Sequence, residues 1–326
     1  MPKKTATPNL DGRTIVASVA AIVGATVIAG SVAWTATYGL GSYGWTLFLG
    51  VPLLLGYVAV SLYRIGGPKR LLRCVGVACL AAVTCSFGFL LLGWEGIICI
   101  VVTIPLGLPL VILGACLAYW SVHKRRSHPA TTSLTLTVFV VVLAVLESQQ
   151  KPLVPVFTKS TSLQVEASPA EVWQAIIRLE RMPPPDDWLL RTGVACPQTV
   201  RIESAEAGGL RFCRLSTGEL VERIEVWRPE SQLRWRALST PPPMQELNPF
   251  RKADPPHLHG FYRNLQGEFT LEPLSSRSTL VIRRTSYQHN LYPAQYWRFW
   301  CDLAAERIHL FVLRHVKRIA EAGRGA

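Results

Sequence analysis

Between Thr14 and Tyr63 the sequence has no charged residue, and as far as residue 147 its only acids are Asp11, Glu95 and Glu147. So little charge excludes an ordinary water-exposed domain over that half. Other absences narrow the function. No basic patch with interleaved aromatics appears, so nucleic acid is not an expected partner. No Gly-x-Ser-x-Gly elbow is present, and Ser216-Thr-Gly218 is explained as a turn, which argues against a nucleophilic hydrolase. No glycine-rich loop leads from a strand into a helix to cradle a phosphate. Cys74, Cys79, Cys85, Cys99 and Cys116 lack metal-site spacing, and neither a metal nor another cofactor is expected. Cys196, Cys213 and Cys301 are odd in number and are expected to stay reduced.

What is present divides near residue 150. Four apolar runs, 14–37, 43–63, 75–94 and 96–120, are long enough to cross a bilayer. A fifth, 131–146, is shorter and needs its neutral flanks to reach across. The first run is too long, and lacks the flank, for a cleaved signal peptide. Lys3, Lys4 and Arg13 precede the first run, Arg64, Lys69, Arg70 and Arg73 link the second and third, and His123-Lys-Arg-Arg126 links the fourth and fifth. These clusters all fall on one side, which the positive-inside rule makes the cytoplasm. Five crossings then carry the remainder of the chain to the outer face of the cytoplasmic membrane. Pro105 and Pro109 are expected to kink or break the fourth run. Ala17, Ala21, Ala25 and Ala29 form a small-residue stripe suited to close helix packing. Residues 1–147 therefore read as a membrane anchor whose immediate partner is the lipid bilayer.

The second half is of ordinary polarity, with 24 Lys and Arg against 18 Asp and Glu. Residues 148–159 read as an extended linker with Pro152 and Pro155, followed by a strand over 161–167. Ser168, Pro169 and Glu171 mark the start of a helix over 170–179. Period-two alternation predicts strands at 199–205, 210–215, 220–227, 232–237, 262–271 and 279–287, joined by short hairpin turns. A proline-rich interruption, Ser239–Gly260, reads as a stiff lid. The chain closes on one long amphipathic helix, 293–322. Its wheel places Trp297, Trp300, Ala304, Ile308, Phe311, His315 and Ile319 on one face, with Arg298, Asp302, Glu306 and His309 roughly opposite. Such a helix needs a concave partner. The expected fold is α+β: about five transmembrane helices, then a curved antiparallel sheet gripping a C-terminal helix over residues 160–322.

The run Val165-Glu-Ala-Ser-Pro-Ala-Glu-Val-Trp173 resembles the opening strand and helix of the SRPBCC superfamily. That superfamily holds START lipid-transfer domains, polyketide cyclases and dehydratases, and birch-pollen-allergen-like proteins. Phe212–Trp227, His257-Leu-His259, Thr285-Ser-Tyr-Gln-His289 and Tyr296-Trp297 resemble a membrane-attached bacterial branch of it. The resemblance covers about residues 160–322 and implies a largely apolar cavity between sheet and helix. It carries over no catalytic set, because the superfamily has no common one.

Candidate lining residues follow from alternation. Trp235 and Leu233 oppose Arg234 and Arg236, so Trp235 points inward. Arg283 and Tyr287 share one face of the last strand and Arg284 the other, so alternation leaves open which arginine is interior. Glu222 is inward if Ile224 and Val226 are, and a buried carboxylate requires a cationic partner. His315 and Trp300 lie on the apolar face of the long helix, His315 either as a core histidine or as a cavity group. His257 and His259 could project together from the lid and meet His289 at a cavity mouth, where proton transfer on a carbonyl compound would be possible. The expected ligand is a lipid or another apolar small molecule. The alternatives are a cyclase- or dehydratase-like enzyme and an interaction module with a filled interior.

Overall fold

A computed structural model describes residues 12–124, 129–150, 154–179 and 181–322. The basic residues at 3–4 and 125–126 lie outside these. The chain forms two compact units, Met1–Lys151 with Pro249–Arg251, and Pro152–Asn248 with Lys252–Ala326.

In the first unit α1 (Gly12–Trp34) runs on through a π-helical turn, Thr35–Gly39. A second such turn, Thr46–Gly50, leads into α2 (Val51–Tyr63). Then come α3 (Leu71–Leu92), α4 (Ile97–Lys124) and α5 (Pro129–Ser148). Five stretches are long and apolar enough to cross a membrane, including Thr131–Ser148. The fifth run is thus as long as the second, Thr46–Tyr63. Pro105 and Pro109 sit inside α4, which runs unbroken through both. Ala21, Ala25 and Ala29 are fully packed inside, whereas Val16, Val19, Val23 and Val27 of the same helix face outward. Small residues on the inner stripe and large apolar ones outside suit a helix that meets protein on one side and lipid on the other.

The bundle is up-and-down, and polar contacts tie matching ends together. The carboxylate of Glu147, at the end of α5, accepts from the backbone N–H of Trp45 (2.6 Å) and Thr46 (3.0 Å). Tyr38 Oη, after α1, donates to the Trp94 carbonyl after α3 at 3.2 Å. At the opposite end the Arg64 guanidinium donates to the Tyr119 carbonyl. The chain therefore leaves α5 at the end that holds the two connections without Lys or Arg.

In the second unit β1 (Val156–Val165) begins earlier than its alternation suggested. Then α6 (Pro169–Ile177) is held by a complete capping box: Ser168 Oγ accepts from the Glu171 N–H, and the Glu171 carboxylate accepts from the Ser168 N–H at 2.7 Å. Six strands follow: β2 (Pro197–Ile202), β3 (Leu210–Leu215), β4 (Gly218–Arg228), β5 (Gln232–Ala237), β6 (Tyr262–Ser275) and β7 (Ser278–His289). They make one antiparallel sheet in the order β1-β7-β6-β5-β4-β3-β2, and the sheet curls as a half-barrel beside α7 (Ala294–Ala322). Sequential hairpins account for β2 to β7, and β1 closes the sheet by pairing with β7.

Two details differ from the pattern reading. A bulge in β4 between Ile224 and Val226 turns Trp227 to the inner face, where its ring meets Trp173 edge-on at 5.1 Å. The long helix is also rotated. Its buried side chains are Trp297, Ala305, His309, Phe311, Val312, Leu313, Val316 and Ala320, while His315 is partly exposed and Ile319 exposed. A helix apolar over more than half its circumference does not fix its own rotation. Here polar partners on β1 and β7 fix it by taking His309.

The segment between β5 and β6 is pinned at its start. The Pro242 carbonyl accepts from Thr217 Oγ1 at 2.7 Å, the Pro243 carbonyl from the Ala195 N–H at 2.9 Å, and Gln245 N–H donates to the Gly193 carbonyl at 2.8 Å.

Candidate ligand-binding site

The register fixes which side chains share the concave face. Thr161 of β1 stands opposite Arg283 of β7, Arg283 opposite Phe269 of β6, Phe269 opposite Leu233 of β5, and Ile224 of β4 opposite Trp235. Thr279, Val281 and Tyr287 are completely buried on the Arg283 side of β7. Arg284 points outward and pairs with Glu268 at 2.8 Å. Arg283 is therefore the interior arginine.

Glu222 is 3% exposed and its carboxylate is ion-paired with the guanidinium of Arg211, directly opposite it on β3. Burial raises the carboxyl pKa, and the charge and hydrogen bond of Arg211 act against that rise. The Arg211 guanidinium lies 4.2 Å above the centre of the Trp235 ring. That indole lies flat on the sheet because Gly267 is beneath it: a Cβ there would come within 2.5 Å of the ring. Arg283 rests 5.2 Å from the centre of the Phe269 ring, and its Nε has no hydrogen-bond partner. Burial, then the nearby Arg211, lowers the Arg283 pKa to about 10, so it stays cationic at neutral pH.

Closer to α7, His309 is 1% exposed. Its Nε2 lies 2.7 Å from Thr285 Oγ1 and its Nδ1 3.1 Å from Thr161 Oγ1. Burial, reinforced by the charges of Arg283 and Lys159, lowers its pKa to about 2 and keeps the ring neutral. A neutral imidazole with one donor and one acceptor nitrogen matches two hydroxyls. Next along the same face, Tyr287 donates to Asp302 Oδ1 at 2.7 Å, and Arg298 Nε lies 3.2 Å from Asp302 Oδ2. His289 is stacked on Phe157 at 5.1 Å, its Nδ1 accepts from the Leu291 N–H at 3.4 Å, and burial lowers its pKa to about 4.

The nine residues singled out in the sequence fall into separate places. Glu222, Trp235, Arg283, Tyr287 and His289 share the concave side. Trp300 is partly buried near the start of α7, edge-on to Phe299 at 5.2 Å and to Tyr296 at 6.4 Å. His315 sits at the rim beside Arg318 at 3.4 Å. The two histidines of the loop between β5 and β6 diverge. His257 Nε2 is 3.6 Å from the inaccessible carboxylate of Glu246, whereas His259 is exposed and 2.7 Å from Asp254. His289 makes no hydrogen bond to either of them among the described residues. Sequence reasoning missed Arg211 and His309. The first was recoverable, since the Ser216-Thr-Gly218 turn pairs Leu215 with Gly218, and counting back along both strands brings 211 opposite 222.

Cys196, Cys213 and Cys301 are unbridged. Burial raises their thiols to about 11, 11 and 12 respectively, which leaves them protonated and unreactive.

Solved structures similar to this chain include an aromatase/cyclase from Streptomyces sp. R1128, with TM-score 0.36 and 15% identity over 51% of this chain and 94% of that one. Norcoclaurine synthase from Thalictrum flavum gives TM-score 0.35 and 10% identity over 53% and 99%. A START superfamily protein from Mycobacterium smegmatis gives 0.34 and 11% over 51% and 97%. No protein-family model matches this chain, and no curated protein is significantly similar to it.

Proposed function

We propose that the C-terminal domain binds an apolar or amphipathic small molecule, lipid-like in character, between its curved sheet and α7. The supporting observation is Arg283. It stands on the concave face, is only partly buried, and its Nε has no hydrogen-bond partner. α7 packs against β1, β7 and α6, and Arg283 and Thr285 of β7 are only partly buried. An apolar guest gains by leaving water for such a lining.

The anchor supplies the setting. Basic residues at one end of the bundle argue that this end is cytoplasmic. Glu147 bonds the end of α5 to Trp45 and Thr46, beside a connection without Lys or Arg. On this reading the N-terminus is cytoplasmic and the binding domain lies at the outer face of the cell membrane. A membrane tether keeps the domain at high effective concentration near a bilayer-borne ligand. The histidine-based cyclase or dehydratase reading loses support because His257, His259 and His289 do not converge on one acid.

Native mass spectrometry of the detergent-solubilised full chain tests the proposal. A discrete small-molecule adduct, released on unfolding, is the expected result. A bare protein mass, together with no uptake of the neutral fluorophore N-phenylnaphthylamine, would leave only the filled interaction module.

A further inference from the structure

Among the described residues, the charges around Arg211 and Arg283 do not balance. Arg211 and Arg283 are both interior cations, and Glu222 is the one carboxylate between them. Arg211 takes that carboxylate and stacks on Trp235. Arg283 is left with the face of Phe269 and an unpartnered Nε, and His309 beside it is neutral. An enclosed guanidinium with open donors is costly in an apolar setting unless an anion meets it. A guanidinium presents a planar fork of donors that suits a carboxylate, sulfonate or phosphate oxygen pair.

We propose that the guest is an amphipathic anion whose acidic head pairs with Arg283 while its apolar body lies between the sheet and α7. This rests on the ligand-binding reading above and names the class of ligand. Arg211 and Glu222 are positioning residues here: their pair holds the Trp235 ring flat and leaves Arg283 as the open cation. Acidic lipids and free fatty acids share this chemistry.

Two fluorophores with one aromatic body separate the proposal from its premise. Anilinonaphthalene sulfonate carries an acid group, and N-phenylnaphthylamine does not. Binding is measured on the full chain in nanodiscs of neutral phosphatidylcholine, with empty nanodiscs as blank. The sulfonate is expected to bind at least about tenfold tighter than the neutral amine, the worth of one hydrogen bond to a charged group. Arg283→Met should abolish that preference, and Arg283→Lys should restore part of it. Should Arg283→Met fail to fold, the wild-type preference and the Arg283→Lys variant decide alone. Neutral amine bound as tightly as sulfonate would overturn the anion proposal and leave the cavity standing, whereas binding of neither would remove the cavity itself. Displacement of the sulfonate by hexadecanoate added from water, or by phosphatidylglycerol placed in the nanodisc, identifies the source. Displacement by hexadecanol and by neither acid counts against the proposal.

Discussion

His309 of α7 is clasped by one threonine from each of the two strands beneath it, with Nε2 2.7 Å from Thr285 and Nδ1 3.1 Å from Thr161. Thr285 and Thr161 belong to neighbouring strands, in adjacent inward positions of the β1–β7 register. The imidazole joins helix to sheet as a neutral ring, because burial and the charges of Arg283 and Lys159 oppose a second proton.

This makes the grip acid-labile. Above pH 6.5 the ring is uncharged in both folded and unfolded chains, and the full stability is present. As pH falls below 6.5 the unfolded chain takes up a proton that native His309, with its pKa lowered to about 2, refuses. His289 behaves alike down to about 4. Stability should fall by about 1.4 kcal/mol per pH unit for each histidine. Hydrogen-exchange protection of α7 amides in the full chain, followed from pH 7.5 to 5, should show the loss. A His309→Gln variant should lose about half of the slope, and an unchanged slope would refute the assignment.

Removal of Glu222 alone should be severe. Glu222→Leu leaves Arg211 and Arg283 together in the interior without a counter-charge, and a cost of about 3–5 kcal/mol is expected. The double change Arg211→Met with Glu222→Leu removes the pair together and should recover most of that loss. A double-mutant cycle on α7 exchange protection measures the coupling. Additive losses would mean that the two side chains act independently.

How far the sequence foretold this arrangement depends on how local each cause was. The capping box at Ser168 and Glu171, the boundaries of β3 and β5, and the inward aim of Trp235 follow from residues within a few positions of one another, and all were readable. The inward turn of Trp227 was not, because the bulge after Ile224 shifts the alternation by one. The rotation of α7 was not readable either. Its choice of His309 over His315 depends on threonines some 24 and 148 residues away in sequence. The ion pair of Arg211 was legible in principle, since a tight hairpin fixes register arithmetically. His257 lies beside Glu246 and His259 beside Asp254, approaches that the irregular loop concealed.

In the helical unit, α2 and α4 touch backbone to backbone. A Cβ on Gly56 would collide with the Val111 carbonyl, and one on Gly114 with the Leu53 carbonyl. Gly56→Ala or Gly114→Ala should loosen this crossing by about 1–3 kcal/mol. Thermal unfolding in detergent, read by a thiol-reactive dye as buried Cys74 and Cys85 become accessible, should begin several degrees lower. Gly76→Ala is the control, because a Cβ there meets nothing within 4 Å. Equal midpoints for all three variants would mean that the crossing is not tightly packed.

Topology gives a sharper test. Single cysteines at Ser42 and Ser148, in a background without the native thiols, should both react with an impermeant maleimide added to intact cells. A cysteine at Gly67 should react only after the cells are opened. Labelling of Ser42 without Ser148 would place the two ends on different faces and reverse the side given to the binding domain.

Glu147 ties that topology to stability. Its carboxylate accepts from the N–H groups of Trp45 and Thr46, at the start of the second apolar helix, where the helix dipole favours negative charge. In hydrocarbon or at its edge such donors find little water, so their loss is felt more than on a soluble surface. Glu147→Ala removes both acceptors and should cost about 1.5–3 kcal/mol, while Glu147→Gln keeps one acceptor without the charge and should cost less. The dye-monitored unfolding midpoint in detergent orders the three proteins: wild type highest, then Glu147→Gln, then Glu147→Ala. An alanine variant as stable as wild type would show that α5 does not cap the second helix, and would also remove the physical link that places the end of α5 beside the first connection.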